Sequence, residues 1–158
     1  MIEYPQYKKV LFCTDFSENA DYAFNFAYGI AKRDEGLLYI LHVIPDNPHQ
    51  TFAENFLTKG DLEKIQKSIE EYLDDNYAER YTKKIGNEIT YELVTRSGRE
   101  DNEILKFAEQ EHVDIIVMGT HGRTGIEHVV FGSVAEKVLR HSPFPVFIIP
   151  DREKPRGS

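Results

Sequence analysis

Tryptophan is absent and cysteine occurs once, at Cys13, in a chain of 158 residues. One thiol cannot close an internal disulfide, which excludes a cross-linked secreted scaffold and makes the cytoplasm the expected compartment. Long apolar runs are missing as well. None approaches the ~20 residues a membrane-spanning helix requires. The opening Met1-Ile2-Glu3-Tyr4-Pro5 is acidic and short, unlike a charged-then-apolar leader, so no membrane partner is expected. Positive charge is in deficit, with 19 Lys and Arg against 27 Asp and Glu, a formal net charge of −8. A surface of that sign repels phosphate backbones and anionic lipid, so nucleic acid is not an expected partner either.

What is present is an alternation of apolar, β-branched runs with helical patterns, which argues for parallel βαβ units in one domain. Lys8 to Thr14 reads as the first strand. Ser17 is placed to cap the next helix, whose first turn carries Glu18 and Asp21 and whose inward face carries Ala20, Ala23, Phe24, Ala27, Ile30 and Ala31. Gly36 is expected to stop it. Leu37 to Val43 is an unbroken apolar run, as suits a strand covered on both faces. After an irregular stretch from Ile44 to about Gly60, a second helix is predicted over Leu62 to Tyr81, with Leu62, Ile65, Ile69 and Leu73 inward. A third strand is predicted from Glu88 to Thr95, and Ser97-Gly98-Arg99-Glu100 has the form of a capping box. Asp114 to Met118 is the fourth strand. Ser133-Val134-Ala135-Glu136 repeats the capping-box form and opens a helix to about His141, and Val146 to Ile149 is the fifth strand. The charged tail, 151–158, is expected to be disordered.

Right-handed crossovers arrange these strands as an open five-stranded parallel sheet, order 3-2-1-4-5, with helices on both faces. The winding then reverses between the first and fourth strands, where open α/β sheets bind ligands. That places Thr14 and Asp15 opposite Met118 and Gly119. The segment from Gly119 to Ser133 is rich in glycine, which lets backbone approach a ligand and turn N–H groups toward it. A helix starting at Ser133 adds unpaired N–H groups and a dipole that favours negative charge.

The spacing Gly119, two residues, Gly122, nine residues, Gly132-Ser133 resembles the nucleotide-binding motif of the universal stress protein family. Thr14-Asp15-Phe16-Ser17 and His42-Val43 are similar to that family's other two signatures, and the likeness runs from Tyr7 to Pro150 as one domain over 1–150. The resemblance implies a Rossmann-like fold of the adenine nucleotide alpha hydrolase-like kind. It also implies binding of ATP, or of AMP or ADP, with Mg or Mn accompanying the nucleotide. Val43 would then lie at the base, with Asp15 on the ribose or a metal and Met118 and Gly119 along the nucleoside. Gly122, Gly132, Ser133 and Val134 would take the phosphates. Cys13, Thr14, His121 and Arg123 complete the expected nucleotide-binding set. Cys13 is small and apolar and stands where ATP-binding members often carry proline. The resemblance further implies a homodimer through Val146 to Ile149, a pairing that would cover an edge strand.

Other chemistries fit less well. No Lys-Ser or Lys-Thr follows the glycines, so a G-x-x-x-x-G-K-S/T phosphate loop is absent. A cysteine phosphatase loop needs arginine six residues after Cys13, where Asn19 stands. A phospho-acceptor receiver would end its third strand in aspartate and its fifth in lysine, where Thr95 and Pro150 stand. His42, His128 and His141 show no metal-ligand spacing. Three functions remain open: a non-catalytic nucleotide-binding module, a weak metal-dependent nucleotide hydrolase using Asp15 and His121, and a dimeric adaptor without nucleotide.

Overall fold

The structure, a computed structural model, describes residues 1–47, 54–121 and 131–152. Strands β1 (Lys9–Thr14), β2 (Leu37–Pro45), β3 (Thr90–Gly98), β4 (Ile115–Gly119) and β5 (Val146–Ile149) form one parallel sheet in the order β3-β2-β1-β4-β5. The predicted topology is therefore the observed one. β1 is central because Val10, Leu11 and Phe12 are wholly buried, and alternate residues serve opposite faces. Val10 and Phe12 meet helix α1 (Glu18–Arg33) through Ala20, Ala23, Phe24, Ala27 and Ala31. Leu11 and Cys13 face α3 (Glu100–Glu111) and α4 (Ser133–His141) through Ile104, Phe107, Ala108, Ala135 and Val138.

Local chemistry sets the ends. Ser17 caps α1 by accepting the Ala20 N–H at 3.2 Å, as expected. The stop differs from the prediction. α1 closes in a Schellman pair, with the Gly36 N–H on Ala31 O and the Glu35 N–H on Lys32 O. The left-handed residue is Glu35, at φ 51°, not Gly36. Gly36 is required for another reason, since a Cβ there would lie 2.6 Å from the carbonyl oxygen of Tyr7.

α2 (Lys59–Tyr77) starts earlier than predicted, in a complete capping box between Thr58 and Asp61. It continues through a π-helical turn, Ala78–Thr82, and a last turn, Lys83–Ile85. The inward assignment of Leu62, Ile65 and Ile69 is incorrect: they are 37%, 43% and 36% exposed. α2 reaches the core near its end, where Leu73, Tyr77 and Tyr81, spaced four residues apart, pack against it. The two other capping-box readings also fail. β3 runs on through Ser97 to Gly98, leaving Arg99 as the uncapped N-cap of α3. In α4 the N-cap is Gly132, and Ser133 is already the first helical residue, with no side-chain cap. Of the tail, only Asp151 and Arg152 are described.

Gly36→Ala is expected to lower unfolding stability by about 1–3 kcal/mol, because the clash is with backbone and cannot be relieved by a rotamer. Urea denaturation measures this, and an unchanged midpoint would contradict the packing argument.

Candidate functional site

The reversal of winding leaves a physical gap. β1 pairs with β2 only as far as Thr14 opposite His42, whereas β2 pairs with β3 as far as Pro45 opposite Gly98. Val43 to Pro45 therefore carry β3 on one side and a crevice on the other. The crevice is a cavity of about 390 Å³, within the size range of small-molecule sites.

Its floor is Cys13, Thr14 and Asp15 from the end of β1, with Leu41, His42, Val43 and Pro45 from β2. One wall is Met118, Gly119, Thr120 and His121, and the α4 side supplies Gly132, Ser133 and Val134. The remaining expected residues, Gly122 and Arg123, lie outside the described residues, as does His128. All the other predicted site residues come together.

The β1–α1 turn is tightly fixed. Thr14 Oγ1 accepts the Phe16 N–H at 2.9 Å and pairs with the Tyr81 hydroxyl at 2.6 Å. Asp15 Oδ1 accepts the Ser17 N–H at 3.0 Å. Phe16 takes a left-handed φ of 61°, unusual for an aromatic residue. Its ring stacks on His42 with centroids 4.4 Å apart and meets Tyr77 edge-on, which holds the turn in place. His42 Nδ1 lies 2.9 Å from Thr14 O, joining the ends of β1 and β2.

The opposite wall hangs on Asn19, which reading the sequence did not single out. Its Oδ1 accepts the His121 N–H at 2.9 Å and its Nδ2 donates to Ile149 O at 3.2 Å. A Cβ at Gly119 would lie 2.5 Å from Asn19 Oδ1, so the glycine there makes room for Asn19 rather than for a ligand. His121 Nδ1 is 2.8 Å from Thr120 Oγ1. The Gly132 N–H donates to Thr120 O at 2.6 Å and is thereby taken. The N–H groups that open α4 are instead those of Ser133, Val134 and Ala135, which have no acceptor within the helix.

Tyr72, Glu100 and Ile104 also line the cavity and were not expected there. Glu100 carried a signal, a carboxylate at the start of a predicted helix, but the capping-box reading absorbed it; the strand before it runs to Gly98, past the predicted end at Thr95. Burial raises its pKa, and the carboxylates of Asp15 and Asp101 push the same way. Burial also pushes the Cys13 thiol up, which fits a core thiol and not a nucleophile. Among the described residues, no group of three or more His, Cys, Asp or Glu side chains could hold a metal ion. A cation here would rest on Asp15 and on oxygens of a bound ligand. Among the described residues no helix is long and apolar enough to cross a membrane.

The universal stress protein family model matches residues 6–150. A universal stress protein of Methanocaldococcus jannaschii, MJ0577, is 36% identical over 157 aligned positions, spanning 90% of this chain and 94% of that one. The solved structure of MJ0577 superposes with a TM-score of 0.75 at 30% identity over 95% of this chain and 100% of that one. Two more distant structures share the fold. A universal stress protein in complex with cAMP has a TM-score of 0.58 at 23% identity over 92% and 98% of the two chains. One from Archaeoglobus fulgidus in complex with dAMP has 0.57 at 20% over 92% and 99%.

A raised Glu100 pKa has a stability consequence. The folded state keeps this proton above the pH, about 4.3, at which an unfolded chain releases it. Stability is therefore lost as pH rises from that value through the raised one. Glu100→Gln is expected to raise the thermal midpoint at pH 7.5 and to match the parent near pH 4. An equal difference at both pH values would show that Glu100 ionisation is not the cause.

Proposed function

The chain belongs to the universal stress protein family, and from that premise we propose that it binds ATP, or a related adenine nucleotide, as a non-catalytic signalling or stress-response module. The observation that carries this is the crevice itself: the β2 end at Val43 to Pro45, beyond its pairing with β1, faces across Asp15 the open first turn of α4. The free edge of β2 offers main-chain partners to a base, and the N–H groups of Ser133, Val134 and Ala135 suit phosphate oxygens. Two proteins of this fold hold cAMP and dAMP, which supports adenine as the base. Asp15 would help to hold Mg or Mn accompanying the nucleotide, and the ion would offset phosphate charge.

A hydrolytic role is less well supported. Asp15 is engaged by the Ser17 N–H and His121 by Thr120, and among the described residues no lysine lines the cavity. The homodimer is proposed through β5, an edge of the sheet whose Phe147 is 40% exposed. The cytoplasm is the proposed compartment.

The parent is expected to show a thermal midpoint that rises with Mg-ATP concentration. Gly132→Val should abolish that rise and still fold, because Gly132, at φ −67° and ψ 159°, has an extended backbone open to any residue. Equal shifts in parent and variant would remove α4 from the site. No shift in the parent, and no nucleotide released from freshly denatured protein, would leave the adaptor role. Phosphate release in a single turnover, lost in His121→Ala, would establish the hydrolase instead. Light scattering should give a dimer mass for the parent and a monomer mass for Phe147→Lys. A monomeric parent would refute the β5 interface.

A further inference from the structure

Three carboxylates occupy the first turn of α3: Glu100, Asp101 and Glu103. Two of them have partners. Asp101 is held by the Arg99 guanidinium at 3.0 Å, and Glu103 lies 3.5 Å from Lys106 Nζ. Glu100 accepts no hydrogen bond and forms no ion pair among the described residues, yet it is half-buried and lines the cavity. Its surroundings do not compensate it. Burial raises its pKa first of all, and the nearby charges that affect it, Asp15 and Asp101, are both negative and push the same way. A half-buried acceptor kept against such opposition calls for a donor from outside the chain.

The sheet register locates that donor. α3 packs over β2 and β3, whereas α4 packs against β5 and α3. Glu100 follows Gly98, which pairs with Pro45, so it stands on the β2–β3 side of the crevice beside Val43 and Pro45. Phosphates are drawn to the opposite side, where α4 opens with no acidic residue before Glu136, itself 2.6 Å from Arg140. The first turn of α3 carries three carboxylates to α4's one, and Glu100 is without a partner among the described residues, so that turn opposes an anion more strongly. A nucleotide with its phosphates at α4 thus turns its base toward Glu100. On adenine, the hydrogen-bond donor farthest from the phosphates is the exocyclic 6-amino group.

We infer that Glu100 is a specificity-determining residue that accepts a hydrogen bond from the 6-amino group of adenine and rejects purines bearing a 6-oxo group. This rests on the nucleotide-binding reading above and deepens it. A 6-oxo group would set an acceptor against the Glu100 carboxylate, which is unfavourable on both sides. The amide introduced by Glu100→Gln, in contrast, could turn its NH₂ toward an oxo group.

The test is titration calorimetry of the full chain with Mg-ATP and with Mg-ITP, which replaces the 6-amino group by an oxo group. The parent is expected to prefer ATP by at least about tenfold, the scale of one charge-assisted hydrogen bond. Glu100→Gln should cut that ratio about tenfold, chiefly by tightening ITP. Glu103→Gln, on the same turn but outside the cavity, should keep the parent's ratio. Equal affinities for ATP and ITP in the parent would overturn the inference and leave the nucleotide site standing. So would an E100Q effect that is the same for both nucleotides, since Glu100 would then act on another part of the ligand. If the parent binds neither, the nucleotide reading itself fails and this assignment with it.

Discussion

The cavity depends on one buried side-chain amide. Asn19 sits in the first turn of α1 and reaches under the ends of two strands, accepting the His121 N–H and donating to Ile149 O. Thr120 adds its hydroxyl at 3.4 Å, and its own N–H goes to Ile149 O. Thr120 O then receives the Gly132 N–H, which fixes where α4 begins. A chain of hydrogen bonds thus runs from α1, through the ends of β4 and β5, to the helix start that faces the crevice. Gly119 belongs to this chain as the space Asn19 needs. A buried amide with all these partners lowers the energy of one arrangement and penalises others, since each lost bond would leave a polar group unsatisfied.

The same geometry gives the crevice a direction. Helix N-termini from α1, α3 and α4 all lie at the carboxyl end of the sheet, and each attracts anions. α1 opens with Glu18 and Asp21, and α3 with Glu100, Asp101 and Glu103. α4 opens with Ser133, Val134 and Ala135, and its Glu136 is paired with Arg140. With one acidic residue in its first turn against two in α1 and three in α3, α4 is the positive end least opposed by the chain's own carboxylates. A ligand with one anionic end has one favourable orientation, with the anion at α4 and uncharged donors toward Glu100.

Much of this was legible in the sequence because it rests on periodicity. Apolar runs bounded by Gly, Pro and acidic residues gave the strands, and their spacing gave the crossover order. Twelve positions were expected at the nucleotide, and those that are described line the crevice. What escaped depends on tertiary context. Leu62, Ile65 and Ile69 have helical spacing, but periodicity cannot tell that the first turns of α2 stand clear of the sheet. Ser97 and Ser133 match a capping pattern, yet β3 extends through one and the N-cap of α4 falls a residue before the other. The π turn at Ala78–Thr82 has no sequence signature, although Tyr77 and Tyr81, four residues apart, share one face at ordinary helical spacing. Asn19 and Glu100 were hidden among ordinary helix-start residues, since their roles exist only once distant strands converge.

The floor of the crevice also bears on how a ligand would be selected. Phe16 holds a left-handed backbone whose cost is of order 1–3 kcal/mol. That conformation persists because His42, Tyr77 and Tyr81 enclose its ring while Thr14 ties its N–H to the Tyr81 hydroxyl. Tyr81 is anchored in turn to Asp21 at 2.9 Å. Loosening this floor to fit a different base would break several aromatic contacts and buried hydrogen bonds together. Discrimination among ligands would therefore fall to groups at the rim that can change without disturbing the floor. Glu100, without a partner among the described residues, is such a group, whereas Tyr72, which also lines the cavity, meets the Phe16 ring edge-on and so belongs with the floor.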